Sequence, residues 1–180
     1  MLILNSLTGF GAGGGPGWIT LGPGDWLGDT GSFAVGDGTV TAGATDKNIR
    51  TAILVGENRD FVFSLDVAGA AGFVMGFATG GTATGASQPT IANPVVYAKN
   101  QGTGPGWNNN NGSVEAGRSA GWCAGRTIGI RRQGAALHGY LDGAVDHGFS
   151  VSTGAAGLVF LGCDGSGSGW SAGNVRITFG

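Results

Sequence analysis

Charge is what this chain has least of. Charged residues make up 11% of its 180 positions, against about 25% in an ordinary soluble domain. With a net charge of −2 it has no basic footprint for nucleic acid and no polybasic face for anionic lipid. So sparse a charge favours self-association unless much of the surface is covered by other subunits, which predicts an oligomer or an assembled state. Cysteine is almost as scarce. Cys123 and Cys163 could form one disulfide, but two thiols do not make a disulfide-stapled scaffold, and they are expected reduced and partly buried. No apolar run reaches about 18 residues, so a helical membrane span is not expected. The opening MLILNSLTGF carries no Lys or Arg ahead of its glycines, unlike a secretory signal. Glutamate is limited to Glu57 and Glu115. No ten-residue stretch keeps a helical period without a glycine, so very little helix is expected.

What the chain has in abundance is glycine, 40 residues, beside an apolar fraction of 41% that suffices for a core. There is no Gly-X-Y period, so the composition describes a folded, loop-rich protein rather than a collagen. Asp37-Gly38 and Asp142-Gly143 each stand between extended runs, a strong signal for tight β-hairpins in which both central residues need positive φ. Asp60 to Val67 alternates, with Phe61, Phe63, Leu65 and Val67 on one face, and Val175, Ile177 and Phe179 repeat the pattern. Other predicted strands are 18–21, 32–35, 39–42, 49–55, 72–78, 94–98, 126–132, 136–141, 144–150 and 157–162. About a dozen short strands at close spacing imply two packed sheets or a barrel. The chain reads as a glycine-rich arm over 1–17 and one all-β domain over 18–180.

Three segments break the strand pattern. Thr79 to Ser87 is too small-sided to pack a core of its own. Asn100 to Ala124 reads as a long irregular loop in which Asn108 to Asn111 are framed by Trp107 and Trp122, and loops of that length are usually functional or ordered by a partner. Cys163 to Gly173 sets Asp164 and Trp170 among glycines.

The order of Trp18, Trp26, Gly36-Asp37-Gly38, NRDFVFSLDV (58–67), GFVMGFA (72–78), RTIGIRR (126–132), GYLDG (139–143) and GLVFLG (157–162) resembles the concanavalin A-like, laminin-G-like jelly roll over roughly residues 18–179. The resemblance implies a two-sheet antiparallel jelly-roll sandwich, one sheet concave, with rim loops that in many members bind sugars and sometimes calcium. It also implies that Trp18 and Trp26 pack between the sheets. The opening LNSLTGFGAGG is similar to those of small tailed-phage structural proteins, which implies an attachment arm using Leu2, Ile3, Leu4, Leu7 and Phe10.

Glycosidic hydrolysis needs two carboxylates about 5 to 10 Å apart. Neither glutamate lies in the Glu-X-Asp-X-X-Glu pattern of the glucanase relatives, and Asp37, Asp142, Asp60 and Asp66 are explained by turns and a wet strand face, so no catalytic residue is expected. His138, Asp146 and His147 flank one hairpin but do not make three convergent ligands, so no metal site is assigned. Calcium would draw on Asp164 and loop carbonyls, although the run from Asp164 to Gly169 lacks spaced carboxylates. Sugar has the better physical case. Trp107, Trp122 and Trp170 could stack on a pyranose, while Asn108, Asn109, Asn110 and Asp164 offer groups for its hydroxyls. Indoles among glycines serve equally to fill gaps or to sit in a subunit interface.

These readings converge on a non-enzymatic virion structural or decoration subunit of a phage-like particle, made in the bacterial cytoplasm. Its expected partners are other virion subunits, further copies of itself and a host-surface glycan. A free-standing lectin-like module and a glycan hydrolase relative are the alternatives from other classes.

Overall fold

A computed structural model describes residues 17–79, 94–100, 104–109, 113–165 and 169–180. Fifteen short strands, β1 to β15 in chain order, build two antiparallel sheets, and the described residues contain two 3-10 turns and no α-helix. Sheet A is ordered β13(Ala144–Ser152), β12(Ala136–Leu141), β11(Thr127–Gln133), β6(Phe61–Gly69), β15(Ser171–Phe179), β4(Thr39–Ala42) and β3(Phe33–Gly36), with β1(Ile19–Thr20) also on β15. Sheet B is ordered β10(Val114–Gly117), β9(Gly106–Asn109), β8(Pro94–Lys99), β7(Phe73–Ala78), β14(Leu158–Cys163), β5(Lys47–Thr51) and β2(Trp26–Gly28). The expected all-β sandwich with little helix is therefore what the chain forms.

The alternation in β6 decides which face is inside. Phe61, Phe63, Leu65 and Val67 are each at most 1% exposed and meet Phe73, Met75, Phe77, Val159 and Leu161 of sheet B. Each of these side chains contributes roughly 1.5 to 3 kcal/mol by leaving water. Val74, Ala78, Tyr97 and Phe160 form a separate buried cluster on the other face of sheet B. Gly76 is required there, because a Cβ would lie 2.3 Å from the Phe160 ring.

At the Asp142-Gly143 hairpin both central residues are left-handed, with φ of 50° and 81°, as its turn type demands. At Asp37-Gly38 only Gly38 is left-handed, φ 66°, so the expectation of two positive φ values fails at Asp37. That loop is instead held from outside: Gly38 N–H donates to Leu21 O, and Val175 N–H donates to Gly38 O.

Two expectations fail in this architecture. The segment 100–124 is not one irregular loop, because it contributes β9 and β10 at the edge of sheet B. Trp26 is buried as expected, but Trp18 is 38% exposed, outside β1 and under the Arg176 guanidinium at 4.4 Å. The cysteines are reduced as expected but fully rather than partly buried, and burial pushes their thiols up to about 12 at Cys123 and about 11 at Cys163, so they behave as small hydrophobes. The arm 1–16, the run 80–87 and Asn110 lie outside the described residues.

One end of the sandwich is closed by a buried cation. Arg132 continues the inward series Ile128, Ile130 on β11 and is 0% exposed. Its Nε donates to Arg59 O at 2.9 Å, its Nη1 to Ala155 O at 2.6 Å, and its Nη2 to the carbonyls of Gly56 and Arg59. The guanidinium also lies over Phe61 at 5.7 Å and Phe77 at 5.5 Å. Arg132 thereby ties the β5–β6 and β13–β14 connections to the core. Arg132→Met keeps the apolar stem but strands those carbonyls, each worth about 1 to 3 kcal/mol when buried without a donor. We expect a loss of at least about 3 kcal/mol in urea denaturation; an unchanged midpoint would show that the clamp is dispensable.

Candidate functional site

The residues expected to bind sugar are brought together only in part. Trp107 is on β9 rather than in a loop and is 0% exposed. Its indole lies flat on Gly139, where a Cβ would come within 2.6 Å of the ring. Trp122 at 5.2 Å and Phe149 at 5.7 Å pack edge-on against it. Asn108, 2% exposed, donates its amide to Gly104 O at 3.3 Å and Gly106 O at 3.0 Å. Half-buried Trp122 donates to Lys99 O at 2.9 Å. Trp170 packs in a different aromatic group, 0% exposed between Phe73 at 5.3 Å and Phe33 at 5.9 Å. Asp164 forms an ion pair with Lys99 at 2.7 Å. Neither Trp107 nor Trp170 presents a face to solvent, because glycine-rich neighbours leave volume that only an indole fills.

What the β9–β10 edge does contain is a polar seam between the two sheets. Trp107 Nε1 on β9 donates to Asp146 Oδ2 on β13 at 2.7 Å, and Arg118 Nη2 donates to the same oxygen at 2.9 Å. Glu115 on β10 accepts four hydrogen bonds. Asn109 Nδ2 at 3.0 Å and Ser150 Oγ at 2.6 Å reach Oε1, while His147 Nε2 and Ser150 N–H reach Oε2, each at 2.9 Å. Burial works against ionisation at both acids, but the bonds from Ser150, His147 and Asn109 outweigh it at Glu115. Those from Trp107 and Arg118 do the same at Asp146. Both carboxyls are therefore held below the usual carboxylate range.

Chemically this arrangement is poor in reactivity. A carboxylate has about four acceptor sites, and at Glu115 all are occupied. An acid held ionised has no proton to give a leaving group. The outward positions Val74, Gly76, Tyr97 and Phe160 of the central strands of sheet B carry no carboxylate either. Among the described residues no group of three or more His, Cys, Asp or Glu could hold a metal ion. Glu115, Asp146 and Ser150 were not legible as a unit. The only signal was a short alternation, Val114-Glu115-Ala116, between glycine-rich flanks.

The outward face of sheet A is different. In register across it lie Tyr140 on β12, Gly129 on β11, Ser64 on β6 and Arg176 on β15. Arg131 donates to the Tyr140 hydroxyl at 2.9 Å. Asp66 on the same face accepts from Thr127 Oγ1 at 2.6 Å and Asn174 Nδ2 at 2.5 Å, bonds that hold it below its ordinary pKa.

No known family and no curated protein matches the chain by sequence. Solved structures do match in shape. A protein of Parabacteroides distasonis assigned to the glycosyl hydrolases superimposes with a TM-score of 0.59 at 14% identity, over 89% of this chain and 98% of the other. The fold is the concanavalin A-like jelly roll. The SPRY domain of human HERC1 shares this jelly roll with a TM-score of 0.55 at 11% identity, over 91% and 96% of the two chains. The exoplasmic/lumenal domain of VIP36, in its Ca2+/Man3GlcNAc-bound form, gives 0.54 at 12% identity over 90% and 84%. The jelly roll thus hosts glycan binders, an assigned hydrolase and a SPRY domain, and likeness at these identities establishes the fold alone.

The seam has a definite pH signature. Glu115 and Asp146 have folded pKa values below their ordinary 4.5 and 3.8. Their stabilisation is therefore complete above those ordinary values and lost as pH falls through the lower folded ones. Thermal midpoints measured from about pH 7 down to about pH 3 should fall steeply below about pH 4.5. Glu115→Gln should lower the neutral-pH midpoint and flatten that acid limb; an unaltered limb would mean that Glu115 is not tied down.

Proposed function

We propose that this chain is a non-enzymatic jelly-roll subunit of a phage-like particle that contacts host-surface glycan. The observation that carries the reading is the seam. Glu115 spends its whole acceptor capacity, and Asp146 its Oδ2, on joining the sheets, which leaves this region without the free acid/base pair that glycoside hydrolysis uses. Glycan contact is favoured by the shared jelly roll, since the VIP36 domain carries Man3GlcNAc on it. Assembly is favoured by the charged fraction of 11% and net charge of −2, which make an isolated subunit prone to associate.

The lectin-like module acting alone remains the second reading, favoured by the same glycan-bound relative. The two differ in solution behaviour. A particle subunit should elute as an oligomer in size-exclusion chromatography with light scattering, and its gene should stand among capsid or tail genes. A monomer that binds glycans, with unrelated neighbouring genes, would favour the lectin. In both cases a glycan array should give binding, and incubation with the bound glycans should release no new reducing ends. Release of reducing ends, abolished by Glu115→Gln or Asp146→Asn in folded protein, would overturn the non-enzymatic reading.

A further inference from the structure

We propose that the outward face of sheet A is the glycan site and that its ligand is a carboxylate-bearing polysaccharide, its acid groups taken by Arg131 and Arg176. The inference rests on the glycan-contact reading above and gives it a location and a ligand class. Tyr140 and Arg176 are separated by three strand spacings, or about 14 Å at about 4.8 Å per strand. Between them lie Gly129 and Ser64, small and themselves buried, so the register sets a low floor between a phenol on one side and a guanidinium on the other. The Arg176 guanidinium lies over the Trp18 ring at 4.4 Å, and Trp18 is 38% exposed. An indole and a phenol flanking a polar floor suit the alternating C–H faces and hydroxyls of linked pyranoses.

The charge on this face selects the ligand class. Neither Arg131 nor Arg176 takes part in an ion pair among the described residues, whose salt bridges involve Lys99, Arg118, Arg126 and His147. Asp66 on this face accepts from Thr127 and Asn174 and also feels the charge of Arg176, without an ion pair between them. Among the described residues Arg131 has only the neutral Tyr140 hydroxyl beside it, so its charge is the less compensated of the two and leads the recognition of an acid. A planar guanidinium matches a carboxylate in two-pronged geometry. Two arginines on a chain of net charge −2 are too few for a phosphate backbone, whose binders neutralise several phosphates at once.

The test is calorimetric titration of the full chain with oligogalacturonate, its fully methyl-esterified form and dextran sulfate, beside a glycan array. Oligogalacturonate should bind, and esterification should weaken it at least about tenfold, the order of a lost charge-assisted hydrogen bond. Arg131→Gln and Arg176→Gln should each weaken it about tenfold with thermal midpoints kept near the parent value. Trp18→Ala, which removes an exposed ring, should weaken it several-fold and serves as the second probe if either arginine variant fails to fold. Array binding that persists unchanged in all three variants would overturn this site while leaving the glycan reading intact. Equal binding of dextran sulfate or of the ester would overturn the carboxylate assignment. Absence of binding to any glycan would bring down the glycan reading and this site together.

Discussion

At Trp107 the acceptor for a fully buried indole N–H belongs to the opposite sheet. Asp146 receives it at 2.7 Å, and Glu115 repeats the connection one strand further out, through His147 and Ser150. Because β10 is an edge of sheet B with β9 beside it, and β13 is an edge of sheet A, these bonds fasten the two sheets to each other along one margin. Bonds to charged acceptors are worth about 1.5 to 3 kcal/mol each. The cost of burying the two carboxylates is offset only because every bond is made, so the network is a structural commitment with little latitude for chemistry.

The rest of the sandwich follows the same logic of filling and satisfying what glycine leaves open. Gly139 and Gly76 are flat places onto which Trp107 and Phe160 lie, so small and large side chains alternate across the layers. At one end Arg132 supplies donors that no backbone group could bring to the carbonyls of Gly56, Arg59 and Ala155. With the interior so committed, recognition falls to an outward face. Sheet A offers one where Tyr140 and Arg176 stand across a floor of Gly129 and Ser64.

The strands of the core were legible because a two-residue period in β6 and β15 has one meaning when the apolar set is aromatic and β-branched. The Asp142-Gly143 hairpin was legible from its turn chemistry. The segment 100–124 was not, since β9 and β10 are four residues each and their sequence, Gly106–Asn109 and Val114–Gly117, is rich in glycine and asparagine, residues that local preference assigns to turns. Those two strands exist because tertiary contacts override that preference. The same contacts explain why Trp107 and Trp170 read as loop residues yet are buried: nothing local announces that an indole will fill the volume above a distant glycine. Trp18 went the opposite way: the family resemblance put it between the sheets, whereas Arg176 rather than the core covers it.

The claim at the centre is that the seam acids hold the sheets together. A double-mutant cycle on Trp107→Phe and Asp146→Asn, followed by urea denaturation at neutral pH, measures it directly. The account predicts that each change is destabilising and that the pair is coupled by about 1.5 to 3 kcal/mol, the value of a bond to a charged acceptor. Additive effects, or two single variants as stable as the parent, would contradict it.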